Sequence, residues 1–369
     1  MQYGLLGCGM MAQEHIRNIQ LLEGAEIVAL ADPDEMMLQA AKRLAPTAET
    51  FVSLEAMLAS SKLDALVIAT PNFQHADQLL YLMESTSIPI LVEKPICTNL
   101  DHVHRLRLAI QSHPAPVWVA MEYRYMPPVQ TLVQKLNENA IGKPCIISIK
   151  EHRFPFLTKV GNWNRFNDKT GGTLVEKCCH FFDLMRFLSN KNPVRVFASG
   201  SQAVNHLDEV YQGQRSDILD NALVIVDFDD GTRALLELCM FAEGARYQEE
   251  ISVVGDKGKL ECLIPGPTRF WPTAELGASP VPKVIISPRI PKGPTEIDVP
   301  VDSSLLEAGD HNGSTFYQHE KFLRAVMGKQ SVEVTVDDGL KAVVLGLAAQ
   351  QSIARGEVVE LCQDGFSFL

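Results

Sequence analysis

The chain lacks a long hydrophobic run. Nowhere in its 369 residues do about 20 apolar positions follow one another, so no membrane-spanning helix is expected. Basic residues are in deficit: 33 Lys and Arg stand against 45 Asp and Glu, a formal net charge of −12. That balance argues against nucleic acid or an anionic membrane surface as the main partner, while leaving room for a local basic pocket. Paired cysteine spacings are also missing. The eight cysteines are scattered, and several sit in apolar runs, which reads as free thiols in a reducing cytoplasm. The apolar opening MQYGLLGCGMM has no basic n-region and no cleavage site, so it is expected to form a first strand. Internal repeats and low-complexity tracts are absent too. What remains is 46% hydrophobic and 21% charged, the make-up of a packed globular chain, long enough for two domains.

The first 120 residues alternate short apolar runs with amphipathic segments. The runs are Tyr3–Leu6, Glu26–Ala31, Asp64–Ala69, Ile88–Val92 and Val117–Ala120; the helical segments are 11–22, 34–45, 74–85 and 99–112. Strands apolar on consecutive positions are buried on both faces, so the alternation predicts a Rossmann-type, doubly wound parallel sheet over 1–121. From 122 to 369 the pattern changes. A helix near 127–139, a strand over Lys143–Phe154 and one unbroken helix over 173–189 precede strands at 194–203, 221–228, 232–241, 249–255 and 258–264. Asp229-Asp230-Gly231 is a hairpin turn. Successive strands without helices between them predict an open, mostly antiparallel sheet, making this an α/β domain. Residues 265–294 read as loops with a short strand at Val284–Ser287, and helices near 314–328 and 337–355 close the chain.

Gly7-Cys8-Gly9-Met10-Met11-Ala12 fits G-x-G-x-x-A between a strand and a helix, the context a dinucleotide fingerprint requires. Gly7 makes the tight turn, Gly9 admits a pyrophosphate, and Met10 and Met11 begin the helix whose N-terminus would face it. Asp32 ends the second strand about 20 residues on, where an acid accepts from the ribose hydroxyls and repels a 2′-phosphate. NAD is therefore expected over NADP. Thr70, Asn72 and His75 follow the third strand and are candidate cofactor contacts, although a plain loop with a helix cap explains them equally. Glu93-Lys94-Pro95 ends the fourth strand at the crevice edge, and Lys94 has two readings: a held functional amine or a snorkelling surface lysine. On the 173–189 helix, Glu176, His180 and Asp183 fall on one face. A solvated polar stripe accounts for that; so does a cleft lining with His180 as general base and Glu176 orienting it or binding substrate. Cys178 and Cys179 would point away, so no metal site is expected.

These pieces together resemble the glucose–fructose oxidoreductase / inositol dehydrogenase (Gfo/Idh/MocA) family. The matching segments are the glycine turn, Ala31-Asp32-Pro33, Ala69-Thr70-Pro71-Asn72, Glu93-Lys94-Pro95, Tyr123-Arg124-Tyr125-Met126-Pro127, Gly171-Gly172 through His180, and the terminal Asp337-Asp338-Gly339-Leu340 helix. The resemblance implies hydride transfer between NAD and a hydroxyl-bearing carbon of a cyclic polyol, sugar or sugar derivative. It casts His180 as general acid/base, Lys94 as the group stabilising the alkoxide, and Arg124, Trp163 and Arg165 as substrate contacts. It also implies a homodimer or homotetramer formed through the C-terminal sheet. Tightly held NAD serving epimerisation or glycoside cleavage, and a non-catalytic NAD-binding regulator, are its other uses. Two features depart from the family: Glu176 replaces a commoner Asp, and Lys177-Cys178-Cys179 replaces a small, glycine-containing run. Lys177 itself reads as a solvated lysine or as a ligand for a carboxylate or phosphate.

Overall fold

The computed structural model describes residues 1–369. The first unit has strands β1 (Gln2–Leu6), β2 (Glu26–Ala31), β3 (Glu49–Phe51), β4 (Ala65–Ile68), β5 (Ile90–Glu93) and β6 (Val117–Ala120). Their helices are α1 (Met10–Ile19), α2 (Glu35–Leu44), α3 (Leu54–Ser60), α4 (Asn72–Ser85) and α5 (Leu100–Ala109). The sheet is parallel with order β3-β2-β1-β4-β5-β6. The order reverses between β1 and β4, and the crevice beyond the strand C-termini there is where such sheets take ligands. β4, β5 and β6 are buried at every position, as the consecutive apolar runs predict. The short edge strand β3 and helix α3 are additions to the sequence expectation. β3 has three residues, none of them buried, and so carries no apolar signal.

The second unit begins with α6 (Pro127–Asn137) and β7 (Pro144–His152). The expected helix over 173–189 is broken: after α7 (Asn167–Thr170), α8 (Thr173–Glu176) and α9 (Cys179–Ser189) are separated at Lys177-Cys178. Then come β8 (Pro193–Ser201), the small hairpin β9 (Val210–Tyr211) and β10 (Gln214–Arg215), β11 (Asn221–Phe228), β12 (Arg233–Cys239), β13 (Glu249–Gly255) and β14 (Gly258–Ile264). α10 (Thr273–Leu276), β15 (Lys283–Pro288), β16 (Thr295–Asp298), α11 (Ser303–Ala308), α12 (Ser314–Val326), α13 (Val336–Arg355) and β17 (Val359–Glu360) complete the chain. Nine strands form one sheet, β16-β15-β14-β13-β7-β12-β11-β8-β17, antiparallel except for the β7–β12 pair. The Asp229–Gly231 turn joins β11 to β12, with Gly231 at φ +85°.

Alternation along β11 puts Ala222, Val224 and Val226 into the core and Leu223 and Ile225 outside. α9 and α13 cover the inner face. α13 also packs on β6 and α5, and the Val119 N–H donates to the Val334 carbonyl, tying the two sheets together. α12 returns to the first unit: Phe322 lies 6.4 Å from Tyr3 and 6.3 Å from Trp118, centroid to centroid. No helix is long and apolar enough to cross a membrane.

Candidate active site

Gly7 turns the chain after β1 at φ +87°, and a Cβ there would come within 2.6 Å of the Ala69 carbonyl oxygen. Gly9 caps α1, and a Cβ built on it would meet nothing within 4 Å. Both line a cavity of about 350 Å³ together with Met10, Met11 and Asp32. The Asp32 carboxylate accepts from the Cys8 N–H at 2.7 Å and the Asp34 N–H at 2.8 Å, so it clamps the glycine turn while facing the cavity. Asn72 opens α4, and its buried Nδ2 has no partner. Thr70 lines the same cavity, its hydroxyl donating to Gln78 at 2.6 Å. An open glycine, a helix N-terminus, an unspent amide and a carboxylate beyond the second strand fit a dinucleotide. His75 also lines the cavity, but both ring nitrogens face carbonyl oxygens, of Pro95 and Thr70, at 2.8 Å. It staples the loops after β4 and β5 and leaves no ring nitrogen for a ligand.

A second cavity of about 620 Å³ lies between the units and shares Met10, Met11, Lys94, Lys159 and Glu176 with the first. Lys94 follows β5 with a cis peptide to Pro95, and its Nζ donates to the Glu176 carbonyl at 3.2 Å. Burial works against its charge, but the Cys179, Glu93, Glu122 and Glu176 groups around it outweigh burial and hold the ammonium protonated. Glu93 is fixed from behind. His15 Nε2 lies 2.8 Å from its Oε1, and the Lys94 N–H donates to its Oε2. Burial opposes its ionisation too, yet His15 and Lys94 keep the carboxyl below the usual range.

His180 lies in the outer cavity with Glu176, stacked on Tyr123 at 4.2 Å between centroids and 8° between planes. Burial, then the charges of Lys94, Lys177, His311 and Arg153, push its pKa far down, so the ring is neutral. Its Nδ1 has no partner. Sequence reasoning left Glu176 two roles, orienting His180 or binding substrate; it makes no hydrogen bond to His180, which leaves the second. The nearest carboxylate is Glu122, with Oε1 3.6 Å from His180 Nε2. Both Glu122 oxygens are buried without a hydrogen bond, and burial, reinforced by Glu93, pushes its carboxyl up to about 7. Beyond it lies His311, with Nε2 4.0 Å from Glu122 Oε1 and Nδ1 2.7 Å from Glu14 Oε1. Burial disfavours the His311 charge, but Glu14 overrides it and lifts the pKa to about 9. Glu122, His311 and Glu14 escaped the sequence reading because they lie far apart in the chain and share no spacing. The EYRY segment was visible, yet its motif pointed to Arg124.

Five expectations for this region need correction. Arg124 is buried and bidentate to Asp183 at 2.5 and 2.6 Å, and it lines neither cavity. Asp183 is thereby spent on structure and lines neither cavity, so of the expected polar face only Glu176 and His180 reach the outer one. Arg165 is also buried; it holds Glu209 at 2.8 Å and the Phe156 carbonyl, and lines neither cavity. Trp163 lines the cofactor-side cavity rather than the outer one. Lys177 is no solvated lysine: it is buried, with Nζ 2.8 Å from Glu151 and donating to the Tyr123 hydroxyl at 2.7 Å.

Comparison with known proteins bears on this arrangement. A family model described as "Oxidoreductase family, NAD-binding Rossmann fold" matches residues 1–121, and its companion "Oxidoreductase family, C-terminal alpha/beta domain" matches 133–361. The chain is 22% identical to a myo-inositol 2-dehydrogenase of Thermotoga maritima over 361 residues, 98% of each protein. It is 30% identical to a D-apiose dehydrogenase of Paraburkholderia graminis over 260 residues, 69% of this chain and 66% of the relative. The crystal structure of a putative myo-inositol dehydrogenase from Sinorhizobium meliloti superposes with a TM-score of 0.78 at 22% identity, covering 98% of this chain and all of the other.

Proposed function

Because the chain belongs to the Gfo/Idh/MocA oxidoreductase family, NAD-binding dehydrogenases that act on CH–OH groups, we propose that His180 and Lys94 carry the chemistry on a sugar or polyol. One observation carries this reading: Lys94 and Glu176 line both cavities, and His180 lines the outer one beside them. A nicotinamide held in the inner cavity would supply the hydride acceptor for the carbinol carbon. The protein's part is to take the hydroxyl proton and hold the developing charge. Neutral His180, with its free Nδ1, is the proton acceptor. The Lys94 ammonium, aimed by the Glu176 carbonyl, stabilises the alkoxide. Glu176 Oε2 has no partner and accepts from a substrate hydroxyl. As His180 becomes imidazolium, the Glu122 carboxylate behind it offsets the charge. His311, kept protonated by Glu14, helps Glu122 stay ionised. Charges thus alternate outward from His180.

Asp32 and the neighbouring Asp34 put negative charge at the ribose end of the cofactor cavity, which favours NAD over NADP. A steady-state preference for NADP would overturn that role. The main test is Lys94→Ala and His180→Ala, assayed for NADH formation over a panel of cyclic polyols, sugars and sugar acids. Each variant is expected to lose roughly 10²–10⁴-fold in kcat while still binding NAD. Near wild-type turnover in either variant removes that residue from the mechanism.

A further inference from the structure

The charged groups of the outer cavity largely pair among themselves. Arg269 pairs with Asp310 and His311 with Glu14, while Lys177 reaches across to Glu151. Two cations do not. Arg153 follows β7, and its side chain makes no hydrogen bond; its Nε is buried without a partner. The nearest carboxylate oxygen, Glu151 Oε1, is 3.9 Å away and already held by Lys177 at 2.8 Å. The guanidinium lies over Phe154, 4.4 Å from the ring centroid, which stiffens it. Lys159 makes neither a hydrogen bond nor an ion pair, and its Nζ sits 5.2 Å from the Trp163 ring. Burial, only partly offset by Glu176, depresses its pKa. Arg153 lines the same cavity as Glu176 and His180, so one small molecule seated there meets all three.

We infer that the substrate is an acid: a sugar or polyol bearing a carboxylate, which Arg153 binds through its fork while Lys159 adds a second positive charge. The inference rests on the dehydrogenase reading and narrows its substrate class. A partly desolvated guanidinium with no hydrogen-bond partner, and a carboxylate no nearer than 3.9 Å, is costly in the free enzyme, and a bidentate carboxylate is the ligand that offsets that cost. A neutral polyol leaves the cost in place. The chain as a whole carries −12, so an anion gains nothing from long-range attraction and needs a built contact. Arg153 lines only the outer cavity, which separates it from the cofactor phosphates; Lys159 lines both.

The test compares matched acids and neutral counterparts with NAD: D-glucuronate with D-glucose, D-galacturonate with D-galactose, and D-gluconate with D-sorbitol. In at least one pair, kcat/KM is expected to favour the acid by about 100-fold, the scale of a charge-assisted contact. Arg153→Gln should shrink that ratio to roughly threefold, mainly through the KM of the acid, and Arg153→Lys should restore part of it. Should Arg153→Gln fold poorly, the wild-type ratio and the Lys variant still decide. A neutral preference in every pair turned over, or an acid preference that survives loss of the guanidinium, overturns the inference and leaves the dehydrogenase standing. NAD binding without turnover of any of the six compounds counts against the dehydrogenase reading, and the inference falls with it.

Discussion

Glu122 shows best how a residue's surroundings set its chemistry. Its carboxyl is pushed up to about 7, first by burial and then by Glu93, and it faces His180 on one side and His311 on the other. If its anion supports the His180 imidazolium, kcat/KM for oxidation should fall as pH drops through about 7. Glu122→Gln should flatten that limb and lower activity by about tenfold or more. Stability has its own sign. The folded state binds this proton more tightly than the unfolded chain does. Wild-type stability therefore declines as pH rises from the ordinary carboxyl range to about 7, then levels off. The Gln variant should gain relative stability over that window. An unchanged pH–rate profile in the variant would exclude the proposed support. Lys94, Glu176 and His180 stood out as candidates in the sequence because each sits in a local motif, although spacing alone also allowed a snorkelling lysine and a solvated stripe. Glu122 was not, since its meaning comes from contacts with residues 58 and 189 positions away, and no period or spacing encodes those.

At the scale of elements, most strands were legible. Buried parallel strands and half-buried antiparallel ones carry opposite, clean patterns, and Glu26–Ala31, Asn221–Phe228 and Gly258–Ile264 were read to the residue. The break between α8 and α9 was not legible, because the run TLVEKCCHFF holds neither glycine nor proline. α13 packs tightly on α8 just ahead of the break. Gly346 of α13 lies so close that a Cβ there would come within 2.5 Å of the Leu174 carbonyl oxygen. α13 therefore presses on the backbone of α8, the helix whose end carries Glu176. Gly346→Val should cost about 1–3 kcal/mol through overpacking. Because the Glu176 carbonyl aims Lys94, kcat should fall in step, although residue 346 lines neither cavity. Denaturant unfolding and steady-state kinetics check both effects; full activity with full stability would show that this contact does not position the site.

Across the whole molecule, one face of the nine-stranded sheet is covered by α9 and α13 and the other is open. An open antiparallel face is ordinarily polar. Here Phe197, Ile225 and Leu235 stand side by side on three adjacent strands, 42, 46 and 36% exposed, with Leu223 and Ile146 near them. Alongside runs a charged row in which Asp227 pairs with Arg195 and lies 3.7 Å from Arg233. An apolar centre edged by ion pairs is the anatomy of a protein–protein contact. Antiparallel strands expose every second residue, so one symmetric contact between copies of this sheet would cover the whole row at once. The homo-oligomer contact through this sheet that the family resemblance implies would therefore fall on this face. Sedimentation should find the wild type as a dimer or tetramer, and Ile225→Lys should shift it to a smaller species, because the new ammonium would be buried without a partner at the centre of the contact. NAD binding should persist in that variant, since the cofactor cavity lies on the other unit's crevice. A monomeric wild type, or an Ile225→Lys variant of unchanged size, would show that the apolar row faces solvent.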